Sequence, residues 1–161
     1  MLTLHLLRHA KSDWSDETLA DHDRPLNRRG KRARKAIARH VAGWPVDLVV
    51  CSTATRAQAT AEPIVETLGC PLRRERALYG ADVDELFDVV RALPTDVATV
   101  MIVGHNPGIE DFSATLCGRT VRYPTAALGT VELPNERWTD VAPMSGTLVA
   151  HVTPAELEGS D

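Results

Sequence analysis

The chain has 161 residues, enough for one domain with its own hydrophobic core. Its 18 basic and 22 acidic side chains leave a net charge of −4, which speaks against nucleic acid as the main partner. No apolar run approaches the roughly 18 residues that cross a bilayer, and the first residues lack the pattern of a secretory signal. Three cysteines, Cys51, Cys70 and Cys117, form no obvious pairing framework, so the expectation is reduced thiols, a cytoplasmic location and no membrane association.

Short strand-like runs alternate with helical patterns, which predicts an α/β domain with a largely parallel sheet. Leu2 to Leu7 reads as a buried strand that ends in Arg8-His9. Ala33, Ala36, Ile37, His40 and Val41 recur at helical spacing and predict a helix over 29–41. Val46 to Cys51 reads as a second strand. Residues 54–68 are helical in pattern, although Pro63 should kink that helix or shift its start. Residues 84–93 form another helical pattern, and Val97 to Val103 is a strongly apolar strand. Gly104 to Gly108 reads as a turn, with Pro107 in the first turn of a helix ending near Cys117. Residues 127–133 and 147–152 read as late strands that could pair. The domain is expected over 1–153, with 154–161 a disordered acidic tail. No repeat or low-complexity linker interrupts the chain.

Three strand ends carry the candidate chemistry: Arg8-His9, Cys51-Ser52-Thr53 leading to Arg56, and Gly104-His105-Asn106. If their strands are parallel neighbours, these groups meet at one sheet edge, where α/β proteins bind ligands. Two arginines and two histidines around one point suit a tetrahedral dianion, because guanidinium donors match phosphate oxygens. Helix N-termini after Cys51 and Gly104 would add backbone donors. One histidine can attack phosphorus and the other, protonated, can donate to an equatorial oxygen. Such a set needs no metal or other cofactor.

The blocks also carry a family likeness. Leu7-Arg8-His9-Ala10-Lys11-Ser12 resembles the Arg-His-Gly signature of the histidine phosphatase (phosphoglycerate mutase-like) superfamily, with Ala10 in place of the usual glycine. Residues 52–62 resemble its second block, which supplies an arginine, and Val103-Gly104-His105-Asn106 its third. Asp23-Arg24-Pro25-Leu26 through Gly30 is similar to the linker of the SixA-type phosphohistidine phosphatases. The resemblance implies a single compact domain with a mainly parallel central sheet flanked by helices on both faces. It implies His9 as the nucleophile, Arg8 and Arg56 as clamps on the phosphoryl oxygens, and His105 as transition-state stabiliser. Ser12 and the backbone around Asn106 are candidate secondary phosphate contacts.

Many members of that superfamily also use a carboxylate general acid after the second block. Here Glu75, Asp82, Asp84 and Glu85 are available, and none sits in a clear motif. An alkoxide leaving group needs such an acid, whereas the imidazole leaving from phosphohistidine needs less help. The expected substrate is therefore a phosphohistidine, on a protein, or another activated phosphoryl group. The alternatives are a small-molecule phosphomonoesterase or mutase, and a non-catalytic phosphoryl-binding module.

Other readings carry less weight. His5 and His9 have metal-like spacing, but their run is strand-like, so no metal site is expected. Cys51 to Arg56 is one residue too short for a cysteine phosphatase loop and lacks glycine. Gly104 to Gly108 is not followed by the Lys-Ser/Thr of a nucleotide loop. His22, His40 and His151 are expected to be structural or exposed. The segment from Arg24 to Arg39 holds eight basic residues and no acidic one. It is a solvated helix face or a docking surface for an acidic or phosphorylated partner, such as a phosphoprotein.

Overall fold

Alternation along the buried strands sorts their side chains into two cores, one on each face of a sheet. The computed structural model describes residues 1–158. In chain order the elements are β1 (Leu2–Arg8), α1 (Arg28–His40), β2 (Leu48–Cys51), α2 (Thr55–Leu68), β3 (Leu72–Arg74), α3 (Val83–Arg91), β4 (Thr99–Gly104), α4 (Gly108–Cys117), β5 (Leu128–Leu133), β6 (Thr147–Val152) and α5 (Pro154–Glu158). Leu4, Leu6, Val50, Val100 and Ile102 pack with α3 and α4 through Leu86, Val90, Ile109 and Phe112. Leu7, Val49, Cys51, Met101 and Val103 pack on the opposite face with Ala33 and Ile37 of α1 and Ala57, Ala61 and Ile64 of α2. The period of two in strands and the apolar stripe on each helix produce this layering.

The six strands run in the order β3-β2-β4-β1-β5-β6. The pairs β3/β2, β2/β4 and β4/β1 are parallel, while β5 pairs antiparallel with β1 and with β6. The sheet is therefore mainly parallel, with an antiparallel edge formed by the two late strands. β4 lies between β1 and β2, so the three ends expected to carry chemistry stand side by side.

Several local expectations change. β3 is a three-residue strand of Leu-Arg-Arg, too short and too polar to show periodicity. Pro63 lies inside α2, which continues through it. Proline cannot donate to the carbonyl four residues back, and that carbonyl, on Ala59, accepts instead from Arg34 Nη1 of α1 at 2.8 Å. Pro107 precedes α4 as its N-cap, joined to Asn106 by a cis peptide bond. The tail expectation fails over Pro154–Glu158, which forms α5. Thr153 and Glu156 exchange the reciprocal hydrogen bonds of a capping box, and Pro154 takes the first helical position. Leu157 then packs on the core shared with α1. Residues 159–161 of that expected tail lie outside the described residues.

α1 starts at Asn27, whose side chain accepts from Gly30 N at 2.8 Å. Its first turn sits directly on the chain after His9. Asn27 N donates to Lys11 O, and a Cβ on Gly30 would run into that same carbonyl. Gly30→Ala should therefore force the helix away from residue 11 and cost about 1–3 kcal/mol. A urea unfolding midpoint equal to that of the parent protein would refute this close approach.

Candidate active site

His9 follows the last residue of β1, and both of its backbone groups are tied. Its N donates to Gly104 O at 3.0 Å, and its O accepts from Ala126 N at 3.1 Å. The next residue is fully buried among Leu26, Ala54 and Ala57, so Ala10 fills core space where the family signature has glycine. Ala10 N donates to Thr60 Oγ1, which donates to Arg56 O one helical turn earlier. β1 and the first turn of α2 are thus locked together beside the site.

The imidazole of His9 has a defined tautomer. Nδ1 lies 2.8 Å from Ala10 O. A carbonyl oxygen only accepts, so Nδ1 carries the proton and Nε2 presents its lone pair. That lone pair faces Arg56 Nε at 3.4 Å. His105 has the complementary arrangement. Its Nε2 pairs with Ser52 Oγ at 2.8 Å, and its Nδ1 lies 3.5 Å from Arg56 Nη2, which can only donate. The two rings are 5.0 Å apart between centroids. Both histidines therefore turn an unprotonated nitrogen toward one guanidinium.

Electrostatics agree with that assignment. Burial holds His9 down at about 4, and the guanidiniums of Arg56 and Arg8 push the same way. Burial, with His9 and Arg56 as neighbours, holds His105 at about 3. His105 is thus neutral by itself, because a cation there would be desolvated beside another cation. A dianion placed between the rings would favour a proton on Nδ1.

Arg8 is the second guanidinium. Its Nη1 donates to Tyr123 O at 3.0 Å, while its buried Nε has no partner among the described residues. Burial lowers its pKa and the carboxylate of Glu110 opposes that shift. Asn106 shares the anchor, donating from Nδ2 to Tyr123 O and accepting Glu110 N at Oδ1. Its side chain is thereby committed to the Tyr123 loop. Ser12 is buried in an isolated bridge with Leu26, and its hydroxyl is not among the groups bonded to His9, Arg56 or His105.

The residues that sequence reasoning missed form the outer wall. Asp21 accepts from Arg56 at two places, its carbonyl from Nη1 at 2.7 Å and its carboxylate from Nη2 at 3.0 Å. Tyr79 donates to the same carboxylate at 2.7 Å and sets its ring edge-on to His105. The Tyr79 hydrogen bond, followed by Arg56, holds Asp21 below the usual carboxylate range. His22 pairs with Thr53 Oγ1 at 2.9 Å and meets Tyr79 edge to face, so it belongs to this wall and not to a remote surface. His5 is buried against Trp44 and Thr130 as a packed strand residue, and burial holds it at about 4. Cys51 is wholly buried, and burial pushes its thiol up to about 11, which leaves no nucleophilic thiolate.

Of the four carboxylates considered as acids, three are engaged locally. Asp82 and Glu85 form the capping box of α3, and Glu75 accepts from Ala77 N. Asp82 and Asp84 line a cavity of about 400 Å³ that also meets His105, Asn106 and Gly108.

Comparison with known proteins agrees with this geometry. Residues 4–89 match the model of the histidine phosphatase superfamily (branch 1), and the chain belongs to that family. An uncharacterized protein, Rv1276c of Mycobacterium tuberculosis, is 33% identical over 166 residues, covering 92% of this chain and 99% of that one. A structure from Nakamurella multipartita, assigned as the phosphohistidine phosphatase SixA, is 30% identical with a TM-score of 0.84, covering 95% of this chain and 96% of that one. A protein histidine phosphatase SixA complexed with tungstate shares the fold at a TM-score of 0.82 and 24% identity, over 97% and 99% of the two chains. Family and fold together make this chain a phosphatase of the hydrolase class. Among the described residues no helix is long and apolar enough to cross a membrane.

Two measurements test the electrostatics. His5, His9 and His105 titrate near 6.5 when unfolded and near 4, 4 and 3 when folded. The unfolded chain takes up those protons first, so stability should fall as pH drops from about 6.5 toward 4, by up to about 1.4 kcal/mol per pH unit for each histidine. A pH-independent melting temperature over that window would refute the neutral assignment. Asp21→Asn removes a negative charge beside the anion site and should tighten vanadate binding several-fold in calorimetry. Weaker binding would show that Asp21 matters more for orienting Arg56 than for its charge.

Proposed function

We propose that this chain hydrolyses phosphohistidine on proteins through a phosphorylated His9, without a metal ion. The observation that carries the reading is the His9 tautomer, with Nδ1–H held by Ala10 O and the Nε2 lone pair directed at Arg56. Nε2 attacks phosphorus as the N–P bond of the substrate breaks, and the departing imidazole keeps the electron pair and takes a proton from solvent. Arg8, Arg56 and a His105 that takes up a proton from solvent as the dianion binds balance the charge on the equatorial oxygens. Water then attacks the phosphoryl group on His9, releasing inorganic phosphate and restoring the neutral imidazole.

The engaged carboxylates support this substrate class. Asp82, Glu85 and Glu75 are occupied by backbone groups, which leaves Asp84 alone of the four to serve an alkoxide leaving group. One observation favours a second reading, a small phosphomonoester: the cavity beside His105 could hold a compact leaving group near Asp84.

His9→Ala should abolish turnover, and acid-labile, base-stable phosphate should appear on the parent enzyme and not on the variant. Full activity in His9→Ala would overturn the mechanism. Arg56→Ala and His105→Ala should each lower kcat by roughly 10²-fold or more. A chelator should leave the rate unchanged. Faster turnover of alkyl phosphates than of phosphohistidine would favour the second reading.

A further inference from the structure

The basic segment of α1 is not used by the chemistry above. Arg28, Arg32, Lys35 and Arg39 follow one another at intervals of four, three and four residues, so they share one face of the helix. The opposite face, with Ala33, Ala36 and Ile37, is buried. All four cations are exposed, and none holds an ion pair or side-chain hydrogen bond among the described residues. Glu158 of α5 is the acidic side chain that shares their groove, lying with Arg32, Lys35 and Arg39. The stripe is about 16 Å long at 1.5 Å per residue. Because the whole chain carries a net −4, this concentration is not a general property of its surface.

The N-terminal end of α1 joins the segment that borders the active site. Residues 11–13 run alongside 25–27, through Asn27 N to Lys11 O, the Ser12–Leu26 bridge and Asp13 N to Pro25 O. Just beyond lies Trp14, a large apolar side chain left 61% exposed. The guanidinium of Arg24 stacks 3.8 Å over its ring and lies 3.6 Å from Asp21, the residue that holds Arg56. An exposed tryptophan stacked with arginine is the composition of a protein-binding hot spot. A row of unpaired cations supplies long-range attraction and orientation.

We propose that Trp14, Arg24 and the Arg28–Arg39 stripe form a docking surface for an acidic segment of the phosphorylated protein whose phosphoryl group enters the His9 site. This rests on the reading above that the substrate is a protein. A small phosphorylated metabolite cannot reach along such a stripe, whereas a protein segment can lay several carboxylates on it.

The test separates docking from chemistry. Two fluorescein-labelled peptides are made with one histidine each, one flanked by Glu and Asp, the other by Gln and Ser. Binding is read by anisotropy on the unphosphorylated peptides, and turnover on the same peptides after phosphorylation by phosphoramidate. The parent protein should bind and turn over the acidic peptide about tenfold better at low salt, the preference shrinking as salt rises. The triple change Arg32→Gln, Lys35→Gln, Arg39→Gln should remove that preference and leave turnover of free phosphoramidate unaltered. The charge-keeping pair Arg32→Lys, Arg39→Lys should retain it, and Trp14→Ala should weaken both peptides. Equal affinity of the parent protein for the two peptides overturns the proposal, as does a preference that survives the triple change. Tighter binding to phosphatidylserine vesicles or to a single-stranded oligonucleotide than to the acidic peptide also overturns it. Stripe-dependent binding without hydrolysis of phosphohistidine would uphold docking and refute the substrate assignment.

Discussion

β4 runs between β1 and β2 and parallel to both, and the position of every reactive group follows from that placement. The register sets Arg8 opposite Gly104 and Cys51 opposite Val103, so all three strands stop at one level. His9, Ser52 and His105 are then the first residues beyond the sheet. Arg56 arrives from the first turn of α2 and fills the space between them. A shift of one residue in any of these strands would also turn its apolar side chains to the wrong core. Packing therefore protects the site geometry even though most core residues never touch the site.

Two guanidiniums and two imidazoles in a buried space cannot all be cationic without a counter-charge. The protein resolves the conflict by keeping the imidazoles neutral and giving Arg56 a carboxylate, Asp21, from a short 3₁₀ turn. That solution leaves His9 Nε2 without a proton and the arginines charged. On the reading proposed above, a phosphoryl dianion would meet groups already arranged for it, with Asp21 offsetting part of their charge.

Much of this was legible in the residues. β1 and β4 are apolar runs ending abruptly in Arg8-His9 and Gly104-His105, and burial explains both the runs and their ends. Strand order was not legible, since it depends on contacts between segments that no local pattern encodes. Asp21 and Tyr79 escaped notice because they reach the site from single 3₁₀ turns, too short to show a periodic pattern, where side-chain direction follows from the tertiary path. β3 escaped because three edge residues show no alternation. The short helix after β6 did have a signal, Thr153-Pro154-Ala155-Glu156, which is a capping box with proline at the first position. Asn106 and Ser12 stand near the site in sequence, yet the Asn106 side chain serves the Tyr123 loop and Ser12 joins the Leu26 bridge.

Pro63 leaves the carbonyl of Ala59 without its helical partner, and Arg34 on the neighbouring helix answers it. The two positions are consequently epistatic. Losing Arg34 first strands a carbonyl between α1 and α2. Losing Pro63 first lets the chain supply its own N–H, after which Arg34 becomes dispensable. Among descendants of this sequence, the proline is the substitution that can come first, and the arginine is free to drift only after it.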